Sequence, residues 1–349
     1  MLMVQSQSRL ARNVLDGCDI GKCPIDNSEV GRYFKGKWGE RDLFKGLGQF
    51  ACTNRSKNGY LAEPISAKDV LAARKLIKND SAPGPDGIVK RDLVKWDASG
   101  ELLAWIFNGF LVNQKIPACL KENRTTLIPK VKEAEALKDI TNWRPITIGP
   151  MVLRLFMAII NKRLTNACPI NVRQKGFTST PGCSENLLLV EGVRTWSRVE
   201  RSSLAMVFID LAKAFDSVSH DHLRETLVKR RTDPGIVELI NDSYRGCSTR
   251  VQTDNGYTRR IAIKIGVKQG DPLSPLLFNL AIDPLLSKLQ EVGEGFDMGD
   301  EKLTVMAYAD DLVLLSNSWS GMSKNMAVLE AFCNLTGLRV NTRKCHGFM

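Results

Sequence analysis

The sequence predicts an α+β chain, and three observations carry that prediction. Ala205-Met206-Val207-Phe208-Ile209-Asp210 is an apolar run that ends on an acid, the pattern of a buried strand whose last residue reaches an edge. Two short β-prone runs, with Leu303, Val305 and Met306 in the first and Leu312 to Leu315 in the second, are joined through Ala307-Tyr308-Ala309-Asp310-Asp311 and read as a hairpin. Helical stretches with one apolar face surround these strands, for example after Ser66 and over Leu276 to Leu289.

The hairpin tip is chemically unusual. Ordinary tips carry Asn-Gly or Asp-Gly, whereas Asp310 and Asp311 are neighbouring carboxylates that repel each other. One reading is a solvated acidic turn. The other is a cation site, because a divalent ion lets oxygen ligands of like charge share one positive centre. Asp210 at its strand end makes a three-carboxylate cluster possible. Such a cluster can hold two Mg²⁺ ions about 3.5–4 Å apart, one activating an attacking oxygen and one steadying a leaving oxygen. Magnesium suits this because it keeps waters and substrate phosphate oxygens and needs few protein carboxylates; Mn²⁺ is the alternative ion.

Composition sets the bounds. The chain has 349 residues, enough for two or three subdomains, with 43% hydrophobic and 25% charged residues, as in a soluble globular protein. No apolar run approaches the ~20 residues that cross a bilayer, and Met1 to Leu15 has no hydrophobic signal core, so an intracellular protein with no membrane partner is expected. A net charge of +11 favours a polyanionic partner such as a nucleic acid backbone. Nine scattered cysteines fit free thiols better than a disulfide framework. Cys18 and Cys23 form half of a zinc spacing, but no second Cys or His pair lies nearby, and a structural zinc is not expected.

Residues 1–60 are poorly patterned, with glycines at 31, 36, 39, 46, 48 and 59. Arg32-Tyr33-Phe34-Lys35-Gly36-Lys37-Trp38 reads equally as a nucleic-acid-facing arm or as a loosely ordered linker with local packing. Ser66 is a good N-cap, with Asp69 three residues on and Lys78 suiting the helix end. Ser81-Ala82-Pro83-Gly84-Pro85-Asp86-Gly87-Ile88 is a rigid turn. A helix over about Leu102 to Val112 comes next, then a strand over Arg124 to Lys130 and the run Asn142-Trp143-Arg144-Pro145-Ile146-Thr147. Helices are expected over Val152 to Leu164 and about Glu185 to Ser197, and another opens after Ser219. His220 and His222, two residues apart, fall on different helix faces and are read as structural. Thr249 to Thr253 and Arg260 to Ile265 alternate like paired strands joined by Asp254-Asn255-Gly256. Met326 to Thr336 is expected to be helical and Gly337 to end it.

Three motifs in order change the weight of the acidic tip. Phe208-Ile209-Asp210-Leu211-Ala212-Lys213-Ala214-Phe215-Asp216 resembles motif A of reverse transcriptases, Gly266-Val267-Lys268-Gln269-Gly270-Asp271-Pro272-Leu273-Ser274-Pro275 resembles motif B, and Tyr308-Ala309-Asp310-Asp311 resembles motif C. Leu338 to Cys345 is similar to motif D. Ala82-Pro83-Gly84-Pro85-Asp86-Gly87, Gln174-Lys175-Gly176-Phe177 with Pro181 to Asn186, and the Gln269 to Pro275 run resemble blocks of non-LTR retrotransposon reverse transcriptases, nearest to the site-specific elements that insert into ribosomal RNA genes. The resemblance covers about residues 61–349.

That resemblance implies the fingers and palm of a right-hand polymerase, with an antiparallel palm sheet packed on helices and the thumb missing. By the same resemblance, residues 1–60 are an extension or linker, 61–200 fingers and 201–349 palm, truncated at the C-terminus. A polymerase without its thumb holds template and primer poorly, which weakens the expectation of activity for this stretch alone. The implied activity is RNA-directed DNA polymerisation, a nucleotidyl transfer in which dNTPs are added to a DNA 3′ end at a nicked chromosomal target on an element RNA template. That implies work in the nucleus at integration, or in the nucleolus. In the resembling family's pattern, Asp210, Asp310 and Asp311 are the catalytic, metal-holding residues. Lys130 and Arg144 clamp the triphosphate, Phe215 excludes a ribose 2′-hydroxyl, Gln269 faces the incoming nucleotide where Gly270 allows close backbone approach, and Lys344 stands near the pyrophosphate. The Gln174 block implies a template-strand contact. The competing readings are an RNA-dependent RNA polymerase on the same palm and a non-catalytic RNA-binding module; Phe215 argues against the first and the intact acids against the second.

Overall fold

Strand-forming runs along the chain pair into three sheets in the computed structural model, which describes residues 22–39, 43–51 and 54–348. Cys18 lies outside the described residues, as does Met1 to Leu15. The strands are β1 (Glu122–Pro129), β2 (Trp143–Ile148), β3 (Ala205–Asp210), β4 (Ser248–Thr253), β5 (Gly256–Tyr257), β6 (Ile261–Ala262), β7 (Phe296–Met298), β8 (Glu301–Leu303), β9 (Val305–Tyr308), β10 (Asp311–Ser316) and β11 (His346–Phe348). Helices outweigh strands around them, so the class is α+β as expected. No described helix is long and apolar enough to cross a membrane. Two compact units interleave in sequence: Gly59–Leu164 and Asp233–Ser274 with the described part of Met1–Arg41 form one, and Thr165–Thr232 and Pro275–Met349 with the described part of Asp42–Asn58 form the other.

The first unit is organised around β1. It runs antiparallel to β2, Arg124 opposite Ile148, and parallel to β4, Glu122 opposite Ser248. Buried Thr125 ties the three strands together, its hydroxyl within 2.8 Å of both the Thr147 and Thr249 hydroxyls. The expected hairpin after β4 is split. The turn Asp254-Asn255 returns the chain as β5, Gly256 opposite Thr253 at φ +101°, and only then does β6 pair with the start of β4. The Arg32 to Trp38 run is not loosely ordered. It lies in the helix Asn27–Gly39, which buries Val30, Phe34 and Trp38 in a cluster with Leu127, Trp143, Val251 and Ile261. An interior glycine costs a helix roughly 1 kcal/mol, so Gly31 and Gly36 are outweighed by burying side chains at about 1.5–3 kcal/mol each. The helix Ala67–Leu76 carries the capping box foreseen at Ser66 and Asp69.

The second unit holds a four-stranded antiparallel sheet in the order β11-β3-β10-β9. Its alternating apolar residues meet the helix Gly182–Val199 through Val193, which packs with Met206, Met306 and Leu315. The helix Trp319–Thr336 starts one to two turns before the expected Met326, because Ser318 caps it by accepting from Gly321 N–H. Gly337 ends it at φ +77°. Ser219 caps the helix His220–Lys229 as foreseen, and His222 is fully buried, stacked on Phe44 at 5.3 Å and edge-on to Phe332. The third sheet is the small β7–β8 pair.

One ion pair in this unit is hidden from solvent. Arg230 and Asp283 meet at 2.5 Å with 0% and 1% of their side chains exposed. Arg230 also donates to Pro169 O, and Asp283 accepts from Asn171 N–H. The pair therefore joins the end of the His220–Lys229 helix, the 169–171 loop and the helix Ser274–Val292.

Removing one partner of a buried pair strands the other charge, so Arg230→Met lowers the unfolding free energy by about 3–5 kcal/mol in urea titrations. Burial holds the His222 imidazole down to a pKa of about 3. The unfolded chain therefore takes up a proton that the folded chain refuses as pH falls below about 6.5, and stability is lost at up to about 1.4 kcal/mol per pH unit until the folded value is reached. His222→Phe should flatten that part of the urea-midpoint profile between pH 7 and pH 4, whereas an unchanged profile would remove His222 as its source.

Candidate functional site

Asp210 closes β3 and Asp311 opens β10, and the two residues are direct partners in the antiparallel ladder. Directly opposed residues project from the same face, so the pairing itself brings these carboxylates together. Asp310 joins them because only Ala309 and Asp310 separate Tyr308 from its ladder partner Asp311. A loop that short needs a left-handed residue, and Ala309 supplies it at φ +56°. The three acids foreseen from sequence therefore converge, as the hairpin reading required.

Their electrostatics are those of crowded acids. Burial raises the Asp310 pKa above the ordinary carboxylate range, and the charge of Asp210 raises it further. Burial likewise lifts Asp311, with Asp310 and then Asp210 adding to the effect. Lys344 opposes both shifts, its Nζ lying 3.5 Å from Asp210 Oδ1, but 67% of its side chain is exposed and water screens it. Asn341 donates from Nδ2 to Asp210 Oδ2 at 2.9 Å, and its own N–H bonds to Asp210 O. Among the described residues no group of three or more His, Cys, Asp or Glu side chains is placed so that it could hold a metal ion. The set is open on one side: Asp210, Asp311 and Lys344 line a cleft of about 340 Å³ with Asn186, Phe208 and Tyr308. Hard oxygen donors, unrelieved like charge and an open flank fit a hydrated divalent cation that shares ligands with a phosphate.

Phe215 lies in the short helix Ala214–Ser217, just past β3. Its ring stacks on Phe278 at 4.8 Å and meets the edge of Phe177 at 5.7 Å, so it is wedged in place and half-buried. Within the Gln174 block, the side chain of Gln174 itself is turned inward. It is 2% exposed, and its amide bonds to the backbone of Ala309.

The remaining foreseen residues belong to the first unit. Lys130 follows β1, and its N–H bonds to Asn142 O, so it sits at the same end of the β1–β2 ladder as Arg144, the partner of Ile128. Lys130 Nζ donates to Thr141 O at 2.7 Å. Gln269 O accepts from Thr147 N–H at 2.7 Å. Gly270 stands at φ +117°, and a Cβ there would come within 2.7 Å of Thr147 O, so both conformation and space demand glycine. The loop is closed by a pair not anticipated from sequence. Lys268 Nζ lies 3.1 Å from Asp271 Oδ2, both side chains almost fully buried, with the ammonium 5.4 Å from the centre of the Tyr244 ring.

Comparison with known proteins agrees with these motifs. Residues 128–349 match the family model described as reverse transcriptase (RNA-dependent DNA polymerase). The chain is 36% identical over 283 residues to a retrovirus-related Pol polyprotein from type-1 retrotransposable element R2 of Popillia japonica, covering 80% of this chain and 39% of that protein. It is 34% identical over 282 residues to the corresponding polyprotein of element R2DM of Drosophila melanogaster, covering 80% of this chain and 26% of that protein. The chain thus spans well under half the length of these relatives. Among solved structures, a truncated apo telomerase of Candida tropicalis covers 74% of this chain and 62% of its own at 13% identity and a TM-score of 0.48. With the three acids converged at one turn and the family model matched across all of them, the chain belongs to the reverse transcriptase (RNA-dependent DNA polymerase) family.

Proposed function

We propose that this chain is the polymerase core of an R2-type non-LTR retrotransposon protein, adding dNTPs to a DNA 3′ end on an RNA template. The observation that carries the reading is the ladder pairing of Asp210 with Asp311, with Asp310 in the two-residue turn beside them. By this reading residues 61–200 are fingers and 201–349 palm, with 1–60 an extension. The partners are element RNA, a nicked chromosomal DNA end at the ribosomal RNA genes and dNTPs, and the place of work is the nucleus or nucleolus.

The chemistry is dictated by charge. Nucleotide addition brings an attacking 3′ oxygen and a leaving pyrophosphate to one phosphorus, and the transition state spreads negative charge over both. Two Mg²⁺ ions held by Asp210, Asp310 and Asp311 would supply the charge neutralisation there. The chain's own residues do the rest. Phe215, whose ring is packed against Phe278 and Phe177, is the residue we assign to exclude a 2′-hydroxyl. Lys344 provides a cation and a proton donor toward the leaving group. Gln269 and Gly270 line the nucleotide's sugar and base, while Lys130 and Arg144 bind the triphosphate through charge-assisted bonds.

Mg²⁺-dependent primer extension on an RNA template is the test. Asp310→Asn should cut it by at least about a hundredfold, the scale of removing one charge-stabilising group, while RNA affinity is kept. The same change should raise the thermal midpoint of the metal-free protein. A carboxyl whose pKa is raised in the fold destabilises the fold as pH rises past the unfolded-state value, and Asn removes that cost. Extension that survived in Asp310→Asn would end the site assignment. Phe215→Val should let the enzyme use rNTPs, narrowing the dNTP:rNTP ratio of kcat/KM by about tenfold or more. An unmoved ratio would reduce Phe215 to a packing residue, and a wild-type preference for rNTPs would favour an RNA polymerase instead.

A further inference from the structure

The turn that carries Asp310 is strained and needs an external hold. Ala309 adopts φ +56°, a left-handed conformation that L-residues rarely take because Cβ crowds the carbonyl oxygen. A single side chain answers both polar groups of that residue. Gln174 Oε1 accepts from Ala309 N–H at 2.8 Å, and Gln174 Nε2 donates to Ala309 O at 3.2 Å. The same Oε1 accepts from Gly176 N–H at 2.7 Å, which fixes the amide's orientation. The backbone around Gln174 lies alongside β9: Lys175 N–H bonds to Ala307 O, and Ala307 N–H to Arg173 O. Asn186 also donates to Ala307 O, at 3.1 Å. Gly176 has no room for a side chain, because a Cβ there would run into Ala309 N. Phe177, next in line, is the ring whose edge meets Phe215.

We propose that Gln174 is a positioning residue for nucleotide addition. It clamps Ala309 in its left-handed conformation and thereby sets where the Asp310 and Asp311 carboxylates stand, and Gly176-Phe177 extends the same support to Phe215. The inference rests on the reading of Asp210, Asp310 and Asp311 as the metal-holding acids. A buried amide that satisfies two backbone groups of one turn residue resists rotation, so small displacements of the tip are suppressed without any contact to substrate.

Gln174→Met keeps side-chain length and removes every hydrogen bond. The folded variant should lose about tenfold or more in kcat, with KM for dNTP and primer–template affinity unchanged within about twofold. Its affinity for Mn²⁺, followed by electron paramagnetic resonance without substrate, should fall severalfold. In an Ala309→Gly background, where the left-handed turn is unstrained, Gln174→Met should cost clearly less. Wild-type kcat and Mn²⁺ affinity in a folded Gln174→Met would overturn the clamp. So would a loss that appears only in template affinity, or one of equal size in both backgrounds. If Gln174→Met does not fold, amide exchange in the unmodified chain decides. The Ala309 N–H should be strongly protected although it sits in a hairpin turn, and rapid exchange would overturn the proposal. Asp310→Asn keeps the two readings apart: extension surviving there defeats the metal-site reading, whereas extension lost there but intact in Gln174→Met defeats only the clamp.

Discussion

Like charge held at close quarters governs the second unit of this fold. Three carboxylates crowd at one end of the β11-β3-β10-β9 sheet, and two of them are partly withdrawn from water. Left alone they would push the strand ends apart. The fold opposes this with backbone geometry: β3 and β10 are locked in a six-residue register that runs from Asp210–Asp311 back to Ala205–Ser316. Polar side chains then fix the acids individually. Asn341 holds Asp210, and Gln174 holds the turn before Asp310. Neither cancels charge, and Lys344 is too exposed to do so fully. The repulsion that remains is what the proposed divalent cation would relieve, so an arrangement costly to the empty fold would become favourable once an ion and substrate phosphates were bound.

The same division between charge and support recurs in the first unit. Lys130 and Arg144 stand at one end of the β1–β2 ladder, and the Gln269-Gly270 loop is tied to β2 through Thr147. A buried Lys268–Asp271 pair closes that loop from beneath. The groups proposed to face substrate thus sit at strand ends and on a short, tightly bonded turn, which rigid ladders can position more finely than long loops.

The carboxylates were legible in the sequence because strand periodicity and a two-residue turn dictate where their side chains go. An apolar run that ends on Asp210 and a hairpin that carries Asp310 and Asp311 made the cluster possible, and the resemblance to motifs A and C gave it weight; the turn itself proves to be Ala309-Asp310, with Asp311 already in the strand. The helix ends at Ser66, Ser219 and Gly337 were equally local, and they stand as read. Groups that act across long sequence separations were not legible. Gln174 reaches Ala309 over 135 positions, and nothing in Gln174-Lys175-Gly176-Phe177 announces that hydrogen-bonded link. In the sequence Arg230 is one of several adjacent cations at a helix end; its buried partner is hinted at only by Asp283, a lone acid within the apolar stretch Leu276 to Leu289. The helix Asn27–Gly39 was hidden because its glycines mask a Val30, Phe34, Trp38 stripe whose burial needs strands from far along the chain.

Whether Asp210, Asp310 and Asp311 together hold the cations of nucleotidyl transfer can be seen by placing the ions. An anomalous-scattering crystal structure of the protein with Mn²⁺, an RNA template, a DNA primer and a non-hydrolysable dNTP would do so. Mn²⁺ peaks are expected within ligating distance of carboxylate oxygens of Asp210 and Asp310, beside the triphosphate. Mn²⁺ bound to the triphosphate with Asp210 and Asp310 turned away from it would contradict that assignment.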